Sequence, residues 1–177
     1  DTTALTKIPA ALGDLTVGEV TIQNRGKLTL VGSLTADDIG GNSGNITVSA
    51  NSFLTTAQDS TSNITADGTM LVDTNGTVVV RRSSTTGNGA GQTITAGTLT
   101  ITGSMHADGE GFGAGDSSAP GYSNTAGPAH GGRSSASVNT YGSFTNPTAL
   151  GSGCTYTAGG GAIVISSTGT VLSLIHI

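Results

Sequence analysis

The sequence is short of most of what conventional cores and active sites are made from. Tryptophan is absent and aromatic residues make up only 3% of the 177 positions, so a conventional layered core is hard to build. A single cysteine, Cys154, rules out an intramolecular disulfide and any cysteine-based zinc site. Charged residues amount to 10% with a formal net charge of -5, and Arg81-Arg82 is the sole basic doublet. A surface that grips a phosphate backbone needs clustered Lys and Arg, so nucleic acid is not an expected partner. No apolar run approaches the length that spans a membrane as a helix, and no signal peptide is visible. The chain opens at Asp1 rather than Met and is read as a fragment of a longer protein.

What is present is glycine, at 29 positions, with Thr, Ser, Asn and small aliphatics. This mixture favours many short strands and turns over helices. Short apolar segments lie at 17–22, 28–34, 46–48, 70–72, 78–80, 94–101 and 162–171, and in most of them apolar residues alternate with Thr or Ser. That is the period-two signature of strands with one buried face. Gly, Asn, Asp and Ser fill the gaps as turn residues. No helix-length periodicity occurs.

One line is written nearly twice. "GKLTLVGSLTADD" at Gly26–Asp38 aligns with "GTLTITGSMHADG" at Gly97–Gly109, pairing Leu28 with Leu99, Leu30 with Ile101, and Ala36-Asp37 with Ala107-Asp108. A shorter echo is Asn63-Ile-Thr-Ala-Asp-Gly68, and a third start is Gly161-Ala-Ile-Val-Ile165. The unequal spacing excludes a fixed-length helical array. Stacked coils tolerate insertions at their corners, so the sequence predicts an all-β fold, a parallel β-helix (β-solenoid), with a β-sandwich as the alternative. One domain is expected over residues 1–172, carrying a glycine-rich insertion at 109–160 that holds three of the four prolines and all three tyrosines, Tyr122, Tyr141 and Tyr156.

The segments "ADGEGFGAG", "GPAHGGR", "TYGSFTNPTALGSG" and "AGGGAIVI" resemble, in that order, a glycine-rich repeat module of large secreted or surface proteins. The resemblance covers Thr98 to about Val171 and implies a right-handed β-helix, in a class where many members lack an assigned activity. Cys154 stands where that pattern has a small residue, usually glycine. Ser173–Ile177, "SLIHI", is similar to a translated sequencing adapter and is read as a non-native tail.

The chemical candidates are few. Asp108, Glu110 and Asp116 put carboxylates on a glycine loop, as a calcium site needs, but at the spacing of no known calcium loop. Asp108 therefore reads first as a turn former. Gly109-Glu-Gly-Phe-Gly-Ala114 satisfies the dinucleotide fingerprint, yet turn residues follow where a helix must begin. His106 takes the place of Thr35 and Thr65 in the other copies, which points it outward. His130 lies in a glycine loop with no G-x-S-x-G turn for a partner. Outward Thr columns of the ice-binding kind are not expected to stay in register over two columns. The sequons at Asn45, Asn63 and Asn75 read as turns unless the host glycosylates.

No catalytic, cofactor-binding or metal-binding residue, and no cofactor, is assigned. The expected role is structural or adhesive at the cell surface or outside the cell, with glycans or other surface components as partners. A polysaccharide lyase or hydrolase is the alternative, because β-helices host such enzymes; their sites gather carboxylates or basic groups on one face.

Overall fold

The computed structural model describes residues 13–38, 43–124, 128–130, 132, 139–143 and 145–173. Among them there is no helix, and hence none long and apolar enough to cross a membrane. The chain is a β-solenoid with parallel sheets. A first coil is formed by β1 (Leu15–Val17), β2 (Glu19–Ile22) and β3 (Lys27–Thr29). The next has β4 (Leu34–Ala36), β5 (Asn45–Val48) and β6 (Phe53–Thr55). Then come β7 (Ile64–Val72) with β8 (Thr77–Val79), and β9 (Gln92–Ile101) with β10 (Ser104–His106). Finally β11 (Ile163–Ser167) and β12 (Val171–Ser173) lay a further rung on β9.

Parallel register arranges the inward side chains in rows. Leu15, Leu34, Ile64, Ile94 and Ile165 form one row, and Val17, Ala36, Ala66, Ala96 and Ser167 the next. Val20, Ile46, Met70, Leu99 and Val171 form a third. On the smaller sheet Leu28, Leu54, Val78 and Met105 stack likewise. Within the stack Leu34, Ile46, Leu54, Ile64, Met70, Val78, Ile94 and Leu99 are completely buried. Each such burial contributes on the order of 1.5–3 kcal/mol, so the rows, not any one residue, hold the fold.

The rows correct the alignment of the two copies. Leu28 lies on the smaller sheet with Leu54, whereas Leu99 lies on the larger one beside Met70. "GKLTLVGSLTADD" therefore runs from β3 round a corner into β4, and "GTLTITGSMHADG" from β9 round a different turn into β10. Every strand needs inward, outward and inward residues and every turn favours small ones, so the same local text recurs at different phases of the coil. The true repeat is Leu34-Thr-Ala36, Ile64-Thr-Ala66 and Ile94-Thr-Ala96. Its spacing of 30 residues is the separation that links Ser62 to Gly32 and Thr93 to Asn63. The predicted strand over 28–34 is in fact split by the corner at Leu30–Ser33, and β6 and β10 have no counterpart among the predicted strands.

Outside, one hydroxyl column does keep register: Thr16, Thr35, Thr65, Thr95 and Ser166. The second, Thr21, Thr47 and Thr100, is broken by Leu71 and Leu172. Two outward Thr columns are therefore not kept in register, as expected from the sequence, although a single one is. Strand propensity still accounts for both, since β-branched side chains suit a pleated surface.

Two kinds of corner close the coils. At the tight one, Asn24, Arg25, Asn51 and Asn75 adopt φ between 58 and 62°, the left-handed conformation that Asn tolerates best after Gly. The Asn51 N–H donates to the Asn75 carbonyl at 3.0 Å, stacking one turn on the next. The returning corner is built on buried polar side chains. Ser62 Oγ donates to the Gly32 carbonyl at 2.7 Å, and the Ser62 N–H donates to Gln92 Oε1 at 2.8 Å. Gln92 Nε2 in turn donates to the Ser60 carbonyl at 2.7 Å. The buried side chains of Ser62 and Gln92 are thus satisfied by neighbouring coils, as a dry interior requires.

Ile64→Ala empties the middle of the first row and is expected to cost about 2–5 kcal/mol of unfolding free energy. Thr65→Ala, one residue away on the outer face, should stay within about 0.5 kcal/mol. Urea unfolding followed by far-UV circular dichroism reads both; equal losses would overturn the assignment of inward and outward faces.

Candidate functional site

The returning corner lengthens with every coil: 30–33, 56–63, 80–91, and then 107–162. The glycine-rich insertion is the last of these corners. It is slightly wider than the predicted 109–160 and replaces a turn of the solenoid, not a strand.

Its glycines are explained by backbone packed on backbone. The Gly111 N–H donates to the Gly159 carbonyl at 2.8 Å, Phe112 N–H to Gly151 O at 3.0 Å, and Gly159 N–H to Phe112 O at 2.9 Å. A Cβ at Gly159 would stand 2.0 Å from the Gly151 carbonyl oxygen, and one at Gly111 would stand 2.5 Å from the same atom. No residue with a side chain fits such an approach. Within this mesh Phe112, Ala119, Leu150 and Ala162 form a second small core, joined by Tyr122 and Tyr141. Phe112 and Tyr141 meet edge to face at 6.5 Å, and the Tyr141 hydroxyl donates to the Leu150 carbonyl. Burial pushes the Tyr141 phenol above its ordinary pKa.

The basic doublet fastens this unit to the solenoid. Arg82 Nε donates to Asp59 Oδ1 at 2.7 Å while Nη1 donates to the Gly111 carbonyl at 3.0 Å, so one guanidinium joins two corners. Arg81 Nη1 donates to Gln58 Oε1 at 2.6 Å, and its Nε lies 3.6 Å from Glu110 Oε1. The hydrogen bond from Arg82 holds the Asp59 carboxyl below its usual range and, reciprocally, raises the guanidinium.

The carboxylates read as a calcium possibility are not brought together. Glu110 faces Arg81, and Asp108 Oδ2 lies 3.2 Å from His106 Nδ1. Asp116 Oδ1 accepts from both the N–H and the hydroxyl of Ser118, closing an Asx turn. No three potential ligands converge among the described residues. The Gly109–Ala114 fingerprint meets no helix: the N–H groups of Gly111 and Phe112 are already spent on Gly159 and Gly151.

His106 pairs in register with Val79, in the column of Thr29 and Thr55, not that of Thr35 and Thr65. His130 packs its ring edge-on against Tyr141 at 4.9 Å. Cys154 sits in a turn, its N–H donating to the Thr157 carbonyl at 2.9 Å. The Thr157 hydroxyl, 3.0 Å from Sγ, and the backbone of Tyr156 and Thr157 hold the thiol below its ordinary pKa. Asn45 and Asn63 use their side-chain oxygens to accept from Thr69 and Thr93, so of the three sequons only Asn75 stands on an exposed turn. A groove of about 380 Å³ beside that turn is lined by Thr74–Thr77 and Thr102–Ser104, with no ionisable side chain.

The tyrosines separate by role. Tyr122 and Tyr141 pack in the small core, whereas Tyr156 is 88% exposed at the tip of the Cys154–Thr157 turn. Composition placed all three in the insertion; only the fold distinguishes the one presented to solvent. Comparison with protein-family models, with curated proteins and with solved structures finds no match.

Two outcomes test this construction. Gly159→Ala should loosen the insertion by about 1–3 kcal/mol, with raised hydrogen exchange confined to 107–162 and the solenoid strands unchanged. The pH dependence separates two carboxyls. Asp59, with a lowered folded pKa, stabilises the fold above the ordinary value near 3.9 and loses that contribution as pH falls through the folded one. Asp59→Asn should therefore remove up to about 0.5 kcal/mol at neutral pH and flatten the acid limb of the Tm profile. Asp37 has the opposite sign. Its hydrogen bond with Asp67, the neighbouring rung's carboxyl, raises its pKa, so its contribution is largest at low pH and falls as pH rises through the folded value. Asp37→Asn should raise Tm at neutral pH and lose that advantage in acid.

Proposed function

We propose that the chain is part of a structural or adhesive protein working at the cell surface or outside the cell, in which the solenoid is a stiff support and the glycine-rich corner is the contact element. The observation that carries this reading is Tyr156. Among the described aromatics of the insertion it alone is not packed, and it is presented at 88% exposure on a hydrogen-bonded turn. A ring presented to solvent offers an apolar face with a polar tip, the combination that stacks on a sugar ring or fills a partner's pocket. Glycans are accordingly the ligand class proposed. The scarcity of charge and the hydroxyl-rich outer strands fit an extracellular setting.

A carbohydrate enzyme is the second reading, because charged groups do gather at the corner of Asp59, Arg81, Arg82 and Glu110. Each is committed to an ion pair or hydrogen bond that fastens loops, which leaves none positioned as an acid and base across a substrate. On a glycan array the chain is expected to be retained with no product released, and Tyr156→Ala should lower retention at least tenfold without changing Tm. Release of shortened or unsaturated sugars would favour the enzyme; retention unaffected by Tyr156→Ala would remove the observation on which the adhesive reading stands.

A further inference from the structure

Three tight corners stack in the same register, and one residue in them breaks the pattern. Ile22, Val48 and Val72 align before the corner and Lys27, Phe53 and Thr77 after it, so Arg25, Asn51 and Asn75 occupy one position. All three are left-handed, with φ of 62, 59 and 62°. Asn tolerates that conformation through its short polar side chain, whereas a long side chain such as that of Arg is strained in it. Backbone strain of this kind clusters at ligand sites.

The surroundings of Arg25 supply the rest of a site. Arg25 and Lys27 are exposed and pair with no described carboxylate, whereas Arg81 and Arg82 are each committed to one. Lys27 Nζ lies 5.2 Å from the centroid of the Phe53 ring, which is 36% exposed. Attraction between ammonium and ring holds the flexible Lys27 stem on this face. Along the same outward column Phe53 is followed by Thr77 and Ser104, which also line the groove described above. At about 4.8 Å per rung, the column from Lys27 to Ser104 covers about 14 Å. Lys27, Phe53 and Thr77 alternate with the buried Leu28, Leu54 and Val78. They therefore point outward from the smaller sheet, at right angles to the stacking direction, and the face is the same whatever stacks on either end of the coil.

We propose that this face binds an oligosaccharide ending in an acidic sugar. Arg25 and Lys27 take the carboxylate through charge-assisted hydrogen bonds, which a guanidinium makes in pairs. The Phe53 ring receives the apolar face of a sugar ring, and the hydroxyls of Thr77 and Ser104 meet the neutral sugars that follow. Charge stands at one end of the column only, and the groove at the other end has no ionisable side chain, so the ligand is acidic at its terminus and not throughout. In a chain of net charge -5, this local pair of cations is the complement an anion requires. The site shares no residue with the contact proposed at Tyr156 and does not rest on it.

Sialyllactose, its carboxyl methyl ester and a triglutamate peptide serve as probes in calorimetric titrations of the full chain. Sialyllactose should bind about tenfold more tightly than the ester, and its affinity should fall as salt is raised. Arg25→Asn installs the residue of the later corners. It should weaken sialyllactose about tenfold while raising Tm by about 2–4 °C, a split that an arginine with a merely structural role would not give. Lys27→Gln should weaken sialyllactose but not the ester, and Phe53→Ala should weaken both sugars. Tyr156→Ala should leave the affinity for sialyllactose unchanged, which separates failure of this site from failure of that one. No binding of sialyllactose, equal binding of its ester, affinity unmoved by Arg25→Asn or lost in Tyr156→Ala, or triglutamate binding as tightly as the sugar would each overturn the proposal.

Discussion

Everything in this molecule depends on the in-register parallel stacking of one coil on the next. Backbone hydrogen bonds between coils fix neighbouring strands about 4.8 Å apart, and that spacing is shared by every row. A row can be filled only by residues of similar girth, because an oversized side chain has no way to escape along a fixed ladder. Hence Leu and Ile follow one another at 34, 64 and 94, while Ala repeats at 36, 66 and 96. The wide row and the narrow row lie side by side and interlock. With no large aromatic ring inside the stack, the core is uniform enough to be extended by adding rungs.

The same constraint leaves the corners free. A corner must only return the chain to the start of the next rung, so its length is unrestricted provided that its backbone groups are satisfied. Gln92 and Ser62 satisfy a short return with side-chain bonds to adjacent coils. The return over 107–162 is too long for that device and satisfies its backbone internally, main chain against main chain. Such an approach is incompatible with Cβ atoms at Gly111, Gly151 and Gly159. High glycine content here is thus the condition for a compact unit, with Phe112 and Leu150 supplying its core.

The strands and the solenoid were legible in the sequence because alternation is a local property, visible in runs such as Leu99-Thr-Ile101 without knowledge of their neighbours. The phase of the coil was not. Leu28 and Leu99 sit in matching local text, yet one belongs to the smaller sheet and the other to the larger, since all strands obey the same inward and outward rule. The 30-residue recurrence of Leu34-Thr-Ala, Ile64-Thr-Ala and Ile94-Thr-Ala was present in the sequence, obscured by the longer accidental match. Within the insertion, glycine density marked an unusual segment, but which tyrosine packs and which projects depends on contacts between residues far apart, such as Tyr141 with Phe112. The pairing of Arg82 with Asp59 was equally hidden, because it joins two loops that only the stack brings together. Residues 174–177, most of the tail read as non-native, lie outside the described residues, whereas Ser173 ends β12 opposite Ile101.

The distribution of charge follows from the division between stack and corner. Charges facing outward on a ladder lie one rung apart, so like charges would repel along the whole column; a solenoid avoids this by using Thr and Ser. Asp37 and Asp67 show the cost where it is not avoided, since two carboxyls on adjacent rungs share a hydrogen bond only by holding one of them protonated to higher pH. Corners carry no such repetition. Arg81, Arg82, Asp59 and Glu110 can meet there as opposite charges from different loops, and they are spent on fastening the insertion. A low-charge solenoid with its paired charges at one corner is therefore arranged to hold that corner in a fixed place. On the adhesive reading proposed for Tyr156, the guanidinium of Arg82 together with the Gly111–Gly159 backbone mesh would fix the unit that carries the solvent-facing ring.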